Sequence, residues 1–196
     1  AEIAGASAPD TPPFKVKGEL SVQSQTWSVE KLTGKMGDSD MGGLVRINLG
    51  QKKPMLTVDL TSSSLDFDDL GVVFGIPLGT GSGETENVEQ VKAKEVYDRS
   101  ARLIPDAQID FDRLSAVNAD INFVASKVVD APSGINAMTL TGTLRDSVLD
   151  FERALVKTST GDLDAKINID ASKKPAVTKA SRDLHNVAIS RFIDTP

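Results

Sequence analysis

The sequence predicts a mainly β protein: a bent antiparallel sheet with one apolar face, shaped as a groove or as part of a sandwich. Three observations predict it. Apolar residues recur with a period of two over most of the 196 residues. Turn-forming Gly, Pro, Asn and Asp separate these runs. Only one stretch carries helix signals, which argues against a parallel α/β sheet and its alternating amphipathic helices.

In chain order, residues 1–13 read as a linker, with Pro9, Pro12 and Pro13 among small residues. A first β unit is expected over 14–72. It opens with Phe14, Val16, Leu20 and Val22 on one face against Lys15, Lys17, Glu19 and Ser21 on the other. Trp27-Val29 is a short strand candidate, and Trp27 reads as a core residue because Val29 and Leu32 follow. Val45, Ile47 and Leu49 alternate, as do Leu56, Val58 and Leu60, and the turn-like Gly50-Gln51-Lys52-Lys53-Pro54 between them makes a hairpin.

Residues 73–105 read as a loop and helix insertion. Gly79-Thr80-Gly81-Ser82-Gly83 is a flexible joint. A helix is expected within 84–104 from Glu95 with Arg99 and Asp98 with Arg102, stopped by Pro105. The second β unit, 106–196, continues the same sheet. Its alternating runs are Val117 to Ala125, Met138 to Leu144 and Leu163 to Ile169, with shorter candidates at Leu149-Phe151 and Val187-Ile189. A faint repeat relates the units: Gly18-Glu19-Leu20 echoes Gly142-Thr143-Leu144, and Ile47-Asn48-Leu49 echoes Ile167-Asn168-Ile169.

Composition narrows the function. Hydrophobic residues make up 39% and aromatics 5%, so the apolar surface is aliphatic and lacks the aromatic platforms of sugar or single-strand binders. The net charge of −6, without a basic patch, repels nucleic-acid backbones and anionic membrane surfaces. No cysteine is present, which removes disulfides, thiolate metal sites and a cysteine nucleophile. No apolar run reaches the roughly 20 residues of a membrane-spanning helix. The start, without Met, reads as that of a processed or excised fragment.

Catalytic and metal signatures are weak. His185 is the one histidine; it reads as a surface or edge residue rather than as part of a triad or a zinc site. The glycines of 79–83 lack the following Lys of a phosphate-binding loop. Asp38 with Asp40, Asp66 with Asp68 and Asp69, and Asp110 with Asp112 could offer oxygen ligands to calcium. None has the spacing of a calcium loop, and turn formation explains them more simply. Lys52-Lys53 and Lys173-Lys174 read as solubility and edge protection. No catalytic residue, metal or cofactor is expected, and the chain reads as a non-enzyme.

Several stretches together resemble the AsmA family. They are Gly18-Glu19-Leu20, Trp27-Ser28-Val29-Glu30-Lys31-Leu32, Gly37-Asp38-Ser39, Gly42-Gly43-Leu44 and Leu65-Asp66-Phe67-Asp68-Asp69-Leu70. After the insertion, Leu103-Ile104-Pro105-Asp106, Ile109-Asp110-Phe111-Asp112-Arg113-Leu114 and Val117-Asn118-Ala119-Asp120 are similar to the family's next segment. The likeness extends over roughly 14–196 and consists of structural glycines, apolar positions and turn aspartates. It implies a long bent sheet of the bridge-like lipid-transfer type, in the periplasm of Gram-negative bacteria. It also implies an inner-membrane helix elsewhere in the parent protein and a role in phospholipid transport to the outer membrane.

Shielding matters because each exposed methylene costs about 0.8 kcal/mol, so a roughly 16-carbon chain needs about 12 kcal/mol of cover. The residues expected to face acyl chains or the core are Val16, Leu20, Val45, Ile47, Leu56, Val58, Ile121, Phe123, Leu140, Ile167 and Ile169. The expected partners are a phospholipid or other acyl lipid and the rest of the parent chain; exposed sheet edges offer a route to a dimer. The alternative is a non-transporting envelope scaffold, with the same face closed by another layer of the protein or by a partner involved in outer-membrane protein assembly. A third reading, a calcium-dependent adhesion module, rests on the acidic turns.

Overall fold

A computed structural model describes residues 2–3, 6–7, 14–67, 69, 114–131 and 134–185. Two short strands, β1 (Glu2–Ile3) and β2 (Ala6–Ser7), pair antiparallel inside the segment read as a linker. The body is one open, bent, nine-stranded sheet. Its strands are β3 (Phe14–Gln23), β4 (Thr26–Met36), β5 (Ser39–Asn48), β6 (Met55–Ser62), β8 (Asn118–Ala125), β10 (Ile135–Arg145), β11 (Val148–Thr158), β12 (Gly161–Asp170) and β13 (Val177–His185). Across the sheet they lie in the order β13-β12-β11-β10-β8-β6-β5-β4-β3. Two two-residue strands, β7 (Leu65–Asp66) and β9 (Val128–Val129), form a separate parallel ladder.

Tight turns set the register. Asp146 and Ser147 both have positive φ, 47° and 70°, as a two-residue type I′ hairpin requires between β10 and β11. The β4–β5 turn places Gly37 at φ 60°. The expected hairpin of β5 and β6 is present, with Val45 opposite Val58 and Ile47 opposite Leu56.

Three sequence expectations change. The sheet is not wholly antiparallel: β6 and β8 run parallel, with Val58 opposite Ile121 and Leu60 opposite Phe123. β6 ends at Ser62 and β8 begins at Asn118, so the sequence between them is long enough for the crossover that a parallel pair needs. The short candidates at Trp27-Val29 and Leu149-Phe151 are parts of eleven-residue strands. Each strand carries a bulge, between Val29 and Leu32 in β4 and between Phe151 and Ala154 in β11, so its apolar residues skip three positions and the period of two breaks. Finally, β13 is a full strand, hidden in sequence because its inward residues are Thr178, Ala180, Arg182 and Leu184. The expected insertion at 73–105, its helix and the candidate strand Val187-Ile189 lie outside the described residues.

The faint repeat has a structural counterpart. Gly18 in β3 and Gly142 in β10 each face the bulged strand that follows. A Cβ on Gly18 would lie 2.6 Å from Val29 Cγ1, and one on Gly142 would lie 2.8 Å from Phe151 Cδ1.

Candidate functional site: the apolar face of the sheet

Cross-strand partners share a face, so the register assigns every side chain of the nine strands. All eleven residues expected to face inward fall on one face. Three rows of directly opposed residues cross it. One runs Thr178, Ile169, Leu149, Leu144, Ala119, Leu56, Ile47, Trp27 and Val22. The next runs Ala180, Ile167, Phe151, Gly142, Ile121, Val58, Val45, Val29 and Leu20. The third runs Arg182, Ala165, Ala154, Leu140, Phe123, Leu60, Gly43 and Leu32. Val16 lies beyond the β4 bulge on the same face, opposite Gly34.

Burial across this face is uneven. Ala119, Leu144, Leu149 and Phe151 form a buried cluster in the middle strands, flanked by Leu114 and Val117 from the chain entering β8. A second cluster, Leu65, Ala125, Val128, Ile135 and Met138, gathers where β7 and β9 pack at the end of β8. Toward β3 the cover is lost: Val16 is 41% exposed and Leu20 63%. The other nine expected residues are partly buried, and none is sealed. Trp27, expected in the core, is 46% exposed, because only edge strand β3 lies beyond it and among the described residues no second layer covers it. At the opposite margin Leu184 is 63% exposed.

The other face is a lattice of polar pairs. Asn122 donates to Asp59 at 2.9 Å and Asn168 to Asp150 at 3.0 Å, each pair directly opposed across the ladder. Arg145 pairs with Asp120 and also donates to the carbonyl of Ala119 at 2.6 Å. Arg153 meets Asp164 at 3.2 Å, and Lys31 in the β4 bulge meets Glu19 at 2.7 Å. Such pairs hold neighbouring strands in register and keep this face wet. His185 lies on this polar face in edge strand β13, opposite Asp162.

The acidic turns have structural work. Asp40 accepts hydrogen bonds from Ser62 Oγ at 2.9 Å, Ser63 Oγ at 2.7 Å and the Ser64 amide at 2.7 Å, so it clasps the turn after β6. The Ser64 amide above all, with the Ser63 hydroxyl, lowers the Asp40 pKa to about 2. Asp69 is buried and accepts from the Ser39 amide at 2.9 Å and Ser39 Oγ at 2.5 Å; Ser39 Oγ in turn accepts from the Asp66 amide at 2.9 Å. Burial raises the Asp69 pKa against these bonds. The Ser39–Asp69 link escaped sequence reading because its partners are 30 residues apart. Among the described residues no group of carboxylates and histidines is arranged to hold a metal ion, and no helix is long and apolar enough to cross a membrane. Asp110, Asp112 and the glycines of 79–83 lie outside the described residues.

Comparison with known proteins agrees with this geometry. A model of the AsmA family matches residues 5–195. The chain is similar to the AsmA family protein YhjG of Escherichia coli (strain K12), with 26% identity over 185 residues, which is 91% of this chain and 27% of that protein. The chain therefore spans about a quarter of the length of the curated relative it matches. No solved structure matches significantly.

Proposed function

The chain belongs to the AsmA family, and from that premise we propose that its sheet is one section of an apolar groove that shields lipid acyl chains in the bacterial envelope. The observation that carries this reading is the apolar face itself, continuous over nine strands and unsealed at both margins. A second packed sheet would bury Leu20, Trp27 and Leu184 as it does the inner residues of a sandwich. Eight strand spacings of about 4.8 Å make the face roughly 38 Å wide, enough to lay acyl chains along or across it. Such a surface lowers the cost of moving hydrocarbon through water without performing chemistry, so the protein acts as a carrier and not as an enzyme. In this reading the groove supports phospholipid movement through the periplasm and outer-membrane homeostasis, in a protein anchored at the inner membrane.

Trp27 is a built-in probe, because it is the single tryptophan and stands on the apolar face. Sub-micellar short-chain phospholipid should shift its emission to the blue and protect it from acrylamide. Native mass spectrometry of protein purified from bacterial membranes should find bound phospholipid. Leu20→Asp, at an exposed margin, should keep the strand signal in circular dichroism and lose most of both effects. A folded, lipid-free protein with an unresponsive Trp27 would instead favour a scaffold in envelope assembly.

A further inference from the structure

The apolar face has one electrostatic exception. Outside the two bulges, Arg182 is the one charged side chain among the described residues that the register places on it. The bulge charges Lys31 and Glu152 belong elsewhere: Lys31 pairs with Glu19, and Glu152 lines a shallow depression on the polar face with Arg153, Asp164, Lys166, Ser181 and Asp183. Arg182 makes no hydrogen bond or ion pair with the described residues, whereas Arg46, Arg145 and Arg153 all pair with carboxylates. It is exposed on edge strand β13, opposite Ala165, with Ala180 and Leu184 two residues to either side.

A guanidinium among aliphatic side chains, with no partner among the described residues, is open to an anion, and its planar fork matches a phosphate. The neighbouring row adds a path for a tail. From Arg182 the opposed residues are Ala165 and then Ala154, low positions between the bulkier rows Leu163–Val156 and Ile167–Phe151. A single acyl chain spans about half of the roughly 30 Å hydrocarbon core, or about three strand spacings, which carries it from β13 to Leu140.

We propose that Arg182 is a headgroup contact for an anionic phospholipid, whose phosphate it holds at the β13 margin while one acyl chain lies over Ala165 and Ala154. This rests on the groove reading above and deepens it by naming the ligand's charge and the residue that selects it. A charge pointing inward on an edge strand can also serve only to prevent edge pairing, and the test separates the two.

The whole chain is titrated by isothermal titration calorimetry, because Trp27 in β4 lies seven strands from β13, against sub-micellar short-chain phosphatidylglycerol, an uncharged alkyl maltoside of equal chain length, and inorganic phosphate. For phosphatidylglycerol, Arg182→Gln should weaken binding about tenfold and Arg182→Lys much less, as expected for loss of a charge-assisted bond. The maltoside affinity should not change, and inorganic phosphate should neither bind at low millimolar concentration nor compete. Equal phosphatidylglycerol affinity in wild type and Arg182→Gln overturns the proposal, as does Arg-dependent binding of free phosphate at the lipid's affinity. Arg182→Gln that self-associates with unchanged lipid affinity assigns the residue to edge protection and also overturns it. If neither phosphatidylglycerol nor maltoside binds the wild type, the groove reading itself fails, and the headgroup contact with it.

Discussion

Single positions matter here where the backbone or a buried carboxylate leaves no room. Gly37 combines a φ of 60° with a Cβ position that would fall on the Asp69 carboxylate. Gly37→Ala should therefore cost about 3 kcal/mol in urea unfolding. At Gly50 a Cβ meets first the end of the flexible Gln25 side chain, at 2.7 Å, and Gly50→Ala should cost less than about 0.5 kcal/mol. Asp40 sets a pH dependence. Its folded pKa of about 2 lies below the ordinary 3.8, so its hydrogen bonds stabilise the ionised form. That stability is complete above the unfolded value and is lost as the pH falls through about 4 toward 2. Asp69 opposes it, because a raised pKa means that its protonation on acidification favours the folded state. Allowing for solvent screening, Asp40→Asn should lose about 1 kcal/mol at pH 7 and almost nothing at pH 2. Urea midpoints at both values check this; an undiminished gap at pH 2 would assign the loss to packing.

Strands and their bulges decide which face a residue occupies. In β4 the extra residue near Lys31, which has φ 51°, returns Leu32 to the face of Val29. Deleting Lys31 would turn the following residues over and move Leu32, which is buried, to the polar side. The deletion should cost more than about 3 kcal/mol, whereas Lys31→Gly, which relieves the positive φ but loosens the chain, should stay within about 1 kcal/mol. The repeated glycines should differ in the same assay. Gly18→Ala meets a side-chain methyl of Val29 on an exposed edge and should cost under about 1 kcal/mol. Gly142→Ala meets the Asp150 carbonyl and the buried Phe151, and should cost about 2–3 kcal/mol.

For the molecule as a whole, stability should concentrate in the middle of the sheet. The buried clusters involve β8, β10 and β11, whereas β3 and β13 are exposed along their length. Native-state hydrogen exchange should be slowest for β8, β10 and β11 and fastest for the two edges. The parallel junction of β6 and β8 joins two antiparallel runs of strands through the opposed pair Val58 and Ile121. Val58→Asp or Ile121→Asp should cost about 3 kcal/mol by placing a charge between aliphatic rows, and each should unfold both halves in one transition. Two separate transitions would show that the halves fold independently.

The sequence by itself determined the β class, the apolar and polar faces and the β5–β6 hairpin, because a period of two and a turn are local properties of the chain. It placed Val16, Leu20, Val58, Ile121 and Ile169 on one face for the same reason. It left β4 and β11 as fragments, since a bulge breaks the period where no single residue type announces it. Only the tertiary structure decided the parallel β6–β8 junction, the Ser39–Asp69 link across 30 residues and the exposure of Trp27. It also decided the isolation of Arg182: a lone Arg in a weakly alternating strand reads as ordinary surface until the register across β12 shows which neighbours it has.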